Sequence, residues 1–548
     1  MKKHWIRFII CIFTLSITPS LQSQNDFEIA KNVDIFISIL KELNAKYADE
    51  ISPGDLTNTA ITAMLNSLDP YTVYYPESQI EDFRLMTTGQ YGGIGALIQE
   101  QGKYIVISEP YEGTPAAEAG LLAGDRILKV NNQSTIGRSS ADVSAILKGE
   151  PGSTLTIEIE RPTTGKKEVF QITRKEIKFP NIPYSGMLDE QIGYIKLDQF
   201  TEKAGNEVKE AFLDLKEKGM KALVLDLRNN GGGLMSEAIN IMNIFVDQNV
   251  MITETKGKIK EQTNVFKTRS SVIDKNIPVV VLVNEYSASS SEIVAGAFQD
   301  LDRGVIIGKK TFGKGLVQNI IPLSYNTTLK ITVSKYYIPS GRCVQNIDYF
   351  SSDTLEVAPI IPDSLATPFK TKNGRTVYDK GGIEPDITIK DSIPSNILVS
   401  LMIHNLIFDY ANQYHADHPT IAVADKFITD DALYQDFLTF LKDKDYDYNT
   451  DSEMLLDKLK EIATLEQHFD VIENLYQQMK EKLALDKKQD IYKFKEEIAL
   501  VLTNEIVGRY YHQKGRIINS LSTDPNIIEA KAVLNDSARY KSILSGKK

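Results

Sequence analysis

Ile277-Pro-Val-Val-Val-Leu-Val283-Asn-Glu-Tyr-Ser287-Ala-Ser289-Ser-Ser291-Glu292-Ile-Val-Ala-Gly-Ala-Phe298 is the stretch whose reading decides the fold. Its first part is apolar without interruption and mostly β-branched, which reads as a strand buried on both faces. The serines that follow are good helix caps, and the pattern then predicts a helix over 289–301. A strand entering a helix through a tight turn exposes the first helical residues at the carboxyl edge of a sheet, where ligands bind in α/β proteins. The N–H groups at such a helix start lack partners within the helix and can receive a developing oxyanion. Taken alone, the segment is also explained by a serine-rich cap with no chemistry.

The same alternation extends on both sides. Ile192-Gly-Tyr-Ile-Lys-Leu197 reads as a strand, 202–218 as an amphipathic helix, and Ala222-Leu-Val-Leu-Asp-Leu227 as a second strand. After a glycine loop, a helix and the 277–283 strand comes the short strand Val305-Ile-Ile307. Repeated strand–helix–strand units predict a mostly parallel sheet covered on its faces, over about 191–389.

Two further loops of this region carry chemistry. Asp226-Leu-Arg-Asn-Asn-Gly231-Gly-Gly233 leaves a strand and enters a helix, so its glycine N–H groups could donate to an oxyanion. Gly308-Lys-Lys-Thr-Phe-Gly313-Lys314-Gly315-Leu-Val-Gln318 places a lysine between two glycines just after a strand. Glycine lets a backbone turn sharply and approach another chain closely, although a solvated loop position is the ordinary fate of a lysine. Neither loop matches a dinucleotide or P-loop pattern. No histidine lies between residues 5 and 403. A Ser-His-Asp, Cys-His or His-ligated metal site therefore cannot be built from the α/β region alone. A base for a nucleophile there must be Lys, Asp, Glu or Tyr.

The remaining chain divides into regions of different pattern. Lys2, Lys3 and Arg7 precede the apolar run Phe8–Ile17 and a polar stretch from Ser20 to Asp26, which is the layout of a secretory signal peptide over 1–25; an uncleaved anchor is the other reading. Residues 26–90 read as mainly helical, with Phe27, Ile29, Val33, Phe36, Ile39, Leu40 and Leu43 at helical spacing behind Asp26 as N-cap. A second stripe, Leu56, Ile61, Met64, Leu65 and Leu68, stops at Asp69-Pro70. Residues 91–176 read as short strands, including Tyr104–Ser108, Arg126–Val130 and a hairpin of Leu155–Ile159 with Glu168–Ile172. Residues 391–548 read as an all-α domain, with Thr450-Asp-Ser-Glu453 as a capping box ahead of Met454, Leu455, Leu459, Ile462 and Leu465. His415 and His418 there lack metal-ligand spacing and read as a surface pair.

The chain has 548 residues, enough for several domains. Its 42% hydrophobic and 25% charged residues are ordinary globular usage. With 62 basic against 73 acidic side chains the net charge is −11, which argues against a nucleic-acid binder that neutralises phosphates. Only Cys11 and Cys343 are present, so no disulfide framework and no cysteine-rich zinc site exist. No metal and no cofactor is expected.

Asp226-Leu-Arg-Asn-Asn-Gly-Gly-Gly, Ser287-Ala-Ser-Ser-Ser-Glu-Ile and Thr311-Phe-Gly-Lys-Gly-Leu-Val-Gln, in this order, resemble the motifs of the carboxyl-terminal processing peptidases, or tail-specific proteases, of the serine peptidases of family S41. The 25-residue step from Ser289 to Lys314 and the further step to Gln318 match that family's spacing. The resemblance covers about residues 30–390. It also takes in Leu68-Asp-Pro-Tyr-Thr72 and Gly381-Gly-Ile-Glu-Pro-Asp386. It implies a multidomain α/β protein with a ClpP/crotonase-like peptidase core at 177–390 and a PDZ domain at 91–176. A helical N-terminal region at 26–90 and a helical C-terminal domain at 391–548 would flank them. It further implies Ser289 as nucleophile, Lys314 as general base, Gln318 as the residue orienting the lysine, and an oxyanion hole from the N–H groups of Ser290 and of Gly231 or Gly232. Ser287 and Ser291 are rivals for the nucleophile. The lysine would have to be neutral near pH 7, about three units below its reference value, which corresponds to roughly 4 kcal/mol of desolvation and nearby positive charge.

By the same resemblance Gly92-Gly93-Ile94-Gly95 is a carboxylate-binding loop, and Ala96 and Leu97 open the strand that receives a peptide as an added strand. The implied partners are protein substrates held by their C-terminal tails, with a homodimer or an adaptor protein as further partners, and the implied location is the periplasm or cell envelope. Two departures bear on function. Lys148 stands where relatives commonly carry arginine, and Glu285-Tyr286 replaces small residues before the serine motif. A lysine cannot reproduce a bidentate guanidinium contact. The competing readings are a catalytically silent PDZ scaffold and, more weakly, a crotonase-like acyl-CoA enzyme, which no nucleotide motif supports.

Overall fold

The computed structural model describes residues 20–349, 363–379, 381–390 and 393–546. The apolar run of the expected signal peptide lies outside these residues. Contacts divide the chain into two units, 1–77 with 319–332 and 78–318 with 333–548.

In the first unit the helices Ser20–Lys46 and Pro53–Asn66 precede a short strand, Val73–Tyr75, antiparallel to residues 328–330. Asp26, expected as an N-cap, lies inside the first helix. Residues 20–25 hold neither proline nor glycine, so nothing local stops the helix from continuing upstream. The second helix starts as its sequence dictates: the Ser52 hydroxyl accepts the Asp55 N–H (3.3 Å) and Pro53 occupies the first turn. It ends before Asp69, whose Oδ1 accepts the N–H groups of Tyr71 and Thr72, each at 2.8 Å. The stripe Phe27, Ile29, Val33, Phe36, Ile39 and Leu43 is exposed within this unit.

The second unit opens with helix Ile80–Thr88 and a β-rich module. Its main sheet runs Ala96–Gln101, Tyr104–Pro110, Arg126–Val130, Thr154–Arg161, Lys166–Thr173, so Ala96–Gln101 is an edge strand. The expected hairpin pairs Thr154 with Thr173 through Arg161 with Lys166. Ile105, Ile107, Ile127, Val130, Val143, Ile157 and Ile159 form its core, and helix Ser140–Leu147 contributes Val143 and Leu147.

A second six-stranded sheet has the order 184–187, 192–196, 222–226, 279–283, 305–308, 387–388. All neighbours are parallel except the first pair. Successive residues alternate between two cores, as a strand's period of two requires. Leu223, Leu225, Val279, Val281 and Val283 face helices 204–217, 235–245 and 290–300, where Phe212, Phe245 and Phe298 pack ring on ring at 5.4 and 5.2 Å. Ala222, Val224, Val280 and Leu282 face the other way, against Ile527, Ala530, Val533 and Tyr540. The second face is thus covered by helices Pro525–Asn535 and Ser537–Ser545, from the chain's last residues. The Tyr540 hydroxyl accepts the Val279 N–H (3.0 Å) and donates to the Val279 carbonyl (3.1 Å) at the strand's buried start.

The rest of the C-terminal region has its own helical core, with Leu401, Ile407, Tyr410, Phe437, Ile498, Leu502 and Ile506. Thr450 and Glu453 form the expected capping box on helix Asp451–Leu465. The stripe behind it is not core, however: Met454, Leu455, Leu459, Ile462 and Leu465 are exposed, and Leu456 and Ala463 are the buried residues. Among the described residues no helix is long and apolar enough to cross a membrane.

Candidate active site

Three adjacent parallel strands end at one sheet edge, with Asp226 beside Leu282 and Val283 beside Gly308. The loops 227–234, 284–289 and 309–315 therefore leave the sheet side by side. These are the three segments singled out by sequence.

Ser289 lies at the strand-to-helix turn with φ 55° and ψ −113°, a conformation an L-residue adopts only under constraint. Such strain costs on the order of 1–3 kcal/mol and persists only where the surroundings over-determine it. Here the surroundings are specific. The Ala288 N–H donates to the Asn230 carbonyl (3.0 Å), the Ser289 N–H to Glu292 Oε2 (2.9 Å), and the Tyr336 hydroxyl to the Ser289 carbonyl (3.3 Å). A strained serine at a strand–helix elbow is the geometry that presents a nucleophile.

Its neighbours differ from it. The Ser287 hydroxyl is buried and donates to the Leu227 carbonyl (2.9 Å), that of Ser290 to the Gly233 carbonyl (2.9 Å), and that of Ser291 to the Asn230 carbonyl (2.8 Å). These three hydroxyls tie the serine turn to the 227–233 loop. Ser289 is not tied to that loop and is half-buried.

Glu292 joins the loops. Its carboxylate is fully buried and accepts four hydrogen bonds. Oε1 receives the Thr311 hydroxyl (2.6 Å) and the Gly313 N–H (2.7 Å), and Oε2 receives the N–H groups of Ser289 (2.9 Å) and Lys314 (2.8 Å). Two donors on one oxygen put the Ser289 and Lys314 backbones within about 6 Å of each other. Burial pushes the Glu292 carboxyl up, and its four donors oppose this only in part, so it stays above the ordinary range. Sequence reading quoted Glu292 but gave it no role. The signal was present: Ser289-x-x-Glu292 has capping-box spacing.

The glycines around Lys314 have steric reasons. A Cβ on Gly313, at φ 86°, would lie 2.5 Å from that of Asn346, and one on Gly315 would lie 2.8 Å from the Gln345 nitrogen. The Gly315 N–H donates to Gln345 Oε1 (2.7 Å). Gln318 lies on the strand Leu316–Pro322, which begins two residues after the lysine.

The oxyanion candidates fall together. Ser290 is the first residue of its helix, so its N–H has no helical acceptor. Gly232, at φ 96°, approaches so closely that a Cβ would sit 2.8 Å from that of Ser289 and 2.9 Å from the Ser290 nitrogen. Its own N–H donates to Asn230 Oδ1 (2.9 Å). Gly231 is exposed, with open space where a side chain would begin.

Asp226 anchors this loop. It is fully buried and accepts from the Arg228 guanidinium (2.6–3.1 Å), the Arg228 N–H (2.9 Å) and the Tyr194 hydroxyl (2.8 Å). Burial pushes its carboxyl up, but the charges of Lys196 and Arg228 outweigh this and hold it well below the usual range. At the mouth, Tyr286 is exposed and Glu285 pairs with Lys309 (3.1 Å).

In the β-rich module, Gly92 and Gly93 pair with Glu176 and Lys175, while Ile94 is buried and Gly95 turns at φ 75°. A Cβ on Gly95 would strike Thr114 (2.4 Å), whose hydroxyl holds the Gly95 carbonyl (2.8 Å). The Gly92 N–H donates to Glu81 (2.7 Å). Ala96 and Leu97 follow on the edge strand, Leu97 half exposed, and among the described residues the strand's outer edge carries no partner strand within the sheet.

Residues 191–354 match the model of peptidase family S41, residues 106–161 that of the PDZ domain, and residues 397–534 that of a PDZ-protease C-terminal helical domain. The carboxy-terminal-processing protease of Bartonella bacilliformis is 35% identical over 355 residues, covering 63% of this chain and 81% of the relative. The carboxy-terminal processing protease CtpA of Bacillus subtilis is 35% identical over 307 residues, covering 56% and 65%. A solved photosystem II D1 C-terminal processing protease aligns with 64% of this chain and 86% of its own, at 29% identity and a TM-score of 0.36. With a relative this similar over four-fifths of its length, and the family's motifs at one sheet edge, the chain belongs to the carboxy-terminal processing proteases of peptidase family S41, serine-type hydrolases with a PDZ domain.

Proposed function

We propose that this protein is an exported endopeptidase that takes hold of protein C-termini and cuts the chain with a Ser289–Lys314 dyad. The observation that supports this most is the shared acceptor: Glu292 Oε2 gathers the N–H groups of both Ser289 and Lys314. In this reading Ser289 Oγ attacks a peptide carbonyl and its proton passes to neutral Lys314 Nζ. The tetrahedral oxyanion is held by the N–H of Ser290 and one from Gly231 or Gly232, Gly232 donating once its N–H leaves Asn230. Collapse expels the amine, which takes the proton from the lysine ammonium and leaves an acyl-enzyme. Water, deprotonated by Lys314, then hydrolyses the ester and frees Ser289. Gln318 orients the lysine.

The module at 91–176 would supply selection. The N–H groups of the Gly92–Gly95 loop capture the chain-end carboxylate, Gly92 donating once its N–H leaves Glu81, and the tail adds as a strand beside Ala96 and Leu97. The apolar N-terminal run, with its preceding positive charges, supports export to the periplasm or cell envelope. A homodimer or an adaptor would complete the assembly.

The test is cleavage of an unfolded model protein carrying an apolar or a charged C-terminal tail. Tail-dependent cleavage by the wild type, lost in both Ser289→Ala and Lys314→Ala, is the expected result. Cleavage undiminished in either variant would overturn the dyad, and equal rates on the two tails would overturn PDZ selection.

A further inference from the structure

The helix Pro525–Asn535 begins directly against the loop that leaves strand Ala222–Asp226, and one carboxylate serves both. Asp524 Oδ1 caps the helix by accepting the Asn526 N–H (2.8 Å). Its Oδ2 pairs with Arg228 Nη1 (2.7 Å). Both side chains are largely buried, at 15% and 18% exposure. The other nitrogens of Arg228 grip Asp226, Nη2 at 2.6 Å and Nε at 3.0 and 3.1 Å. The guanidinium fork is thus divided between the strand end and the C-terminal segment, and such planar, charge-assisted contacts fix direction as well as distance.

What Arg228 fixes is the start of the glycine loop. Its carbonyl accepts Lys196 Nζ (2.5 Å). The next residue, Asn229, exchanges two hydrogen bonds with Asn284, N–H to Oδ1 (2.9 Å) and Nδ2 to Oδ1 (2.8 Å). Asn284 in turn donates its N–H to the Ser287 hydroxyl (2.9 Å), two residues before Ser289. A continuous polar path therefore runs from Asp524 through Arg228 to both loops that flank the serine. The pair lines a cavity of about 420 Å³ together with Tyr194, Tyr286 and Ser520, so its geometry rests on hydrogen bonds rather than on tight apolar packing.

We propose that Asp524 is a positioning residue of the peptidase: through Arg228 it holds the 227–233 loop in register with Ser289, which makes the C-terminal helical segment a working part of the active site. This rests on the Ser289 reading above.

Two substitutions separate positioning from folding. Asp524→Asn keeps volume and an N-capping oxygen but turns an amide toward Arg228. Asp524→Glu keeps the charge and disturbs the cap. With the full chain and a tailed peptide substrate, Asp524→Asn should lower kcat about tenfold, a fraction of the 10²–10³-fold loss of a whole oxyanion donor, with KM and Tm little changed. Asp524→Glu should keep kcat within about threefold and lower Tm. The proposal is overturned if Asp524→Asn retains kcat within about twofold, or if kcat and Tm fall together in both variants. Ser289→Ala run in parallel separates the two ideas. If it abolishes turnover while Asp524→Asn does not affect kcat, only the positioning role fails. If it leaves turnover intact, or the wild type turns nothing over, the catalytic reading fails and this inference with it.

Discussion

Removing the Glu292 carboxylate is the sharpest test of how the site is held. Glu292→Gln and Glu292→Ala should differ, and the structure says by how much. In the glutamine variant one oxygen becomes an amide donor. On the Oε2 side that donor would face the N–H groups of Ser289 and Lys314, neither of which can accept. On the Oε1 side it would face the Thr311 hydroxyl, which can rotate to accept, and the Gly313 N–H, which cannot. The side chain should choose the second arrangement, leaving one buried N–H unpaired at a cost of about 1–3 kcal/mol. The contacts to Ser289 and Lys314 survive, so kcat should fall only about tenfold. Alanine leaves three backbone N–H groups without an acceptor and removes what opposes the strain at Ser289. About 3–4 kcal/mol of transition-state stabilisation then goes, or a 10²–10³-fold loss in kcat. The assay is steady-state cleavage of a fluorogenic tailed peptide, with labelling by a serine-directed fluorophosphonate and the Tm of each variant. A Glu292→Ala enzyme within threefold of wild-type kcat would refute the argument that this carboxylate assembles the site.

Protonation of the same group gives a pH prediction of definite sign. The folded carboxyl lies above its ordinary value of 4.5. The native state therefore binds more protons than the unfolded chain between the ordinary and raised values, so this group's contribution to stability falls as pH rises through that window. Activity should move the opposite way: protonating Glu292 occupies an oxygen that its donors need, giving an acid limb in kcat above the ordinary carboxylate range, removed in Glu292→Gln. Asp226 has the reverse sign, since its folded carboxyl is held well below 3.8. Its stabilisation is present above the unfolded value and lost only as pH falls through the folded one, and Asp226→Asn should cost about 1.5–3 kcal/mol by urea unfolding at pH 7, because Arg228 loses one charged acceptor and keeps Asp524. Gly232→Ala should abolish turnover with little change in circular dichroism, because its Cβ would meet those of Ser289 and the Ser290 nitrogen below 3 Å. Tyr540→Phe leaves the buried Val279 N–H unpaired and should cost about 1–3 kcal/mol, read as a lowered Tm.

The strands and helices of the catalytic sheet were legible because their signals are local. An apolar run with a serine turn needs no distant partner to be read, and the helix read at 289–301 is found at Ser290–Asp300. The three loops were legible as candidates for the same reason, their glycines marking turns and close approaches. What could not be read was what covers what. Val279–Val283 announces two buried faces, but nothing near it says that Ile527, Ala530, Val533 and Tyr540 bury one of them, about 250 residues later. The stripe from Met454 to Leu465 has the periodicity of a core helix and is exposed, because period reports that one face is apolar and not where that face is directed.

The choice among serines shows the same division. Spacing alone left Ser287 and Ser291 beside Ser289, since all three hydroxyls lie in one turn. Packing separates them: a buried hydroxyl must donate somewhere, and those of Ser287, Ser290 and Ser291 donate to carbonyls of the 227–233 loop. Those bonds hold the turn that puts Ser289 at φ 55°, and Glu292 holds its N–H from the other side. The flanking serines and the acid are therefore parts of one device. Ser287→Ala or Ser291→Ala should weaken catalysis by loosening the turn, at about 1–2 kcal/mol each, without abolishing it as Ser289→Ala should. If Ser287→Ala or Ser291→Ala proved as inert as Ser289→Ala in fluorophosphonate labelling while keeping its Tm, the nucleophile would have to be reassigned, since a tether that is lost without loss of stability was never holding the turn.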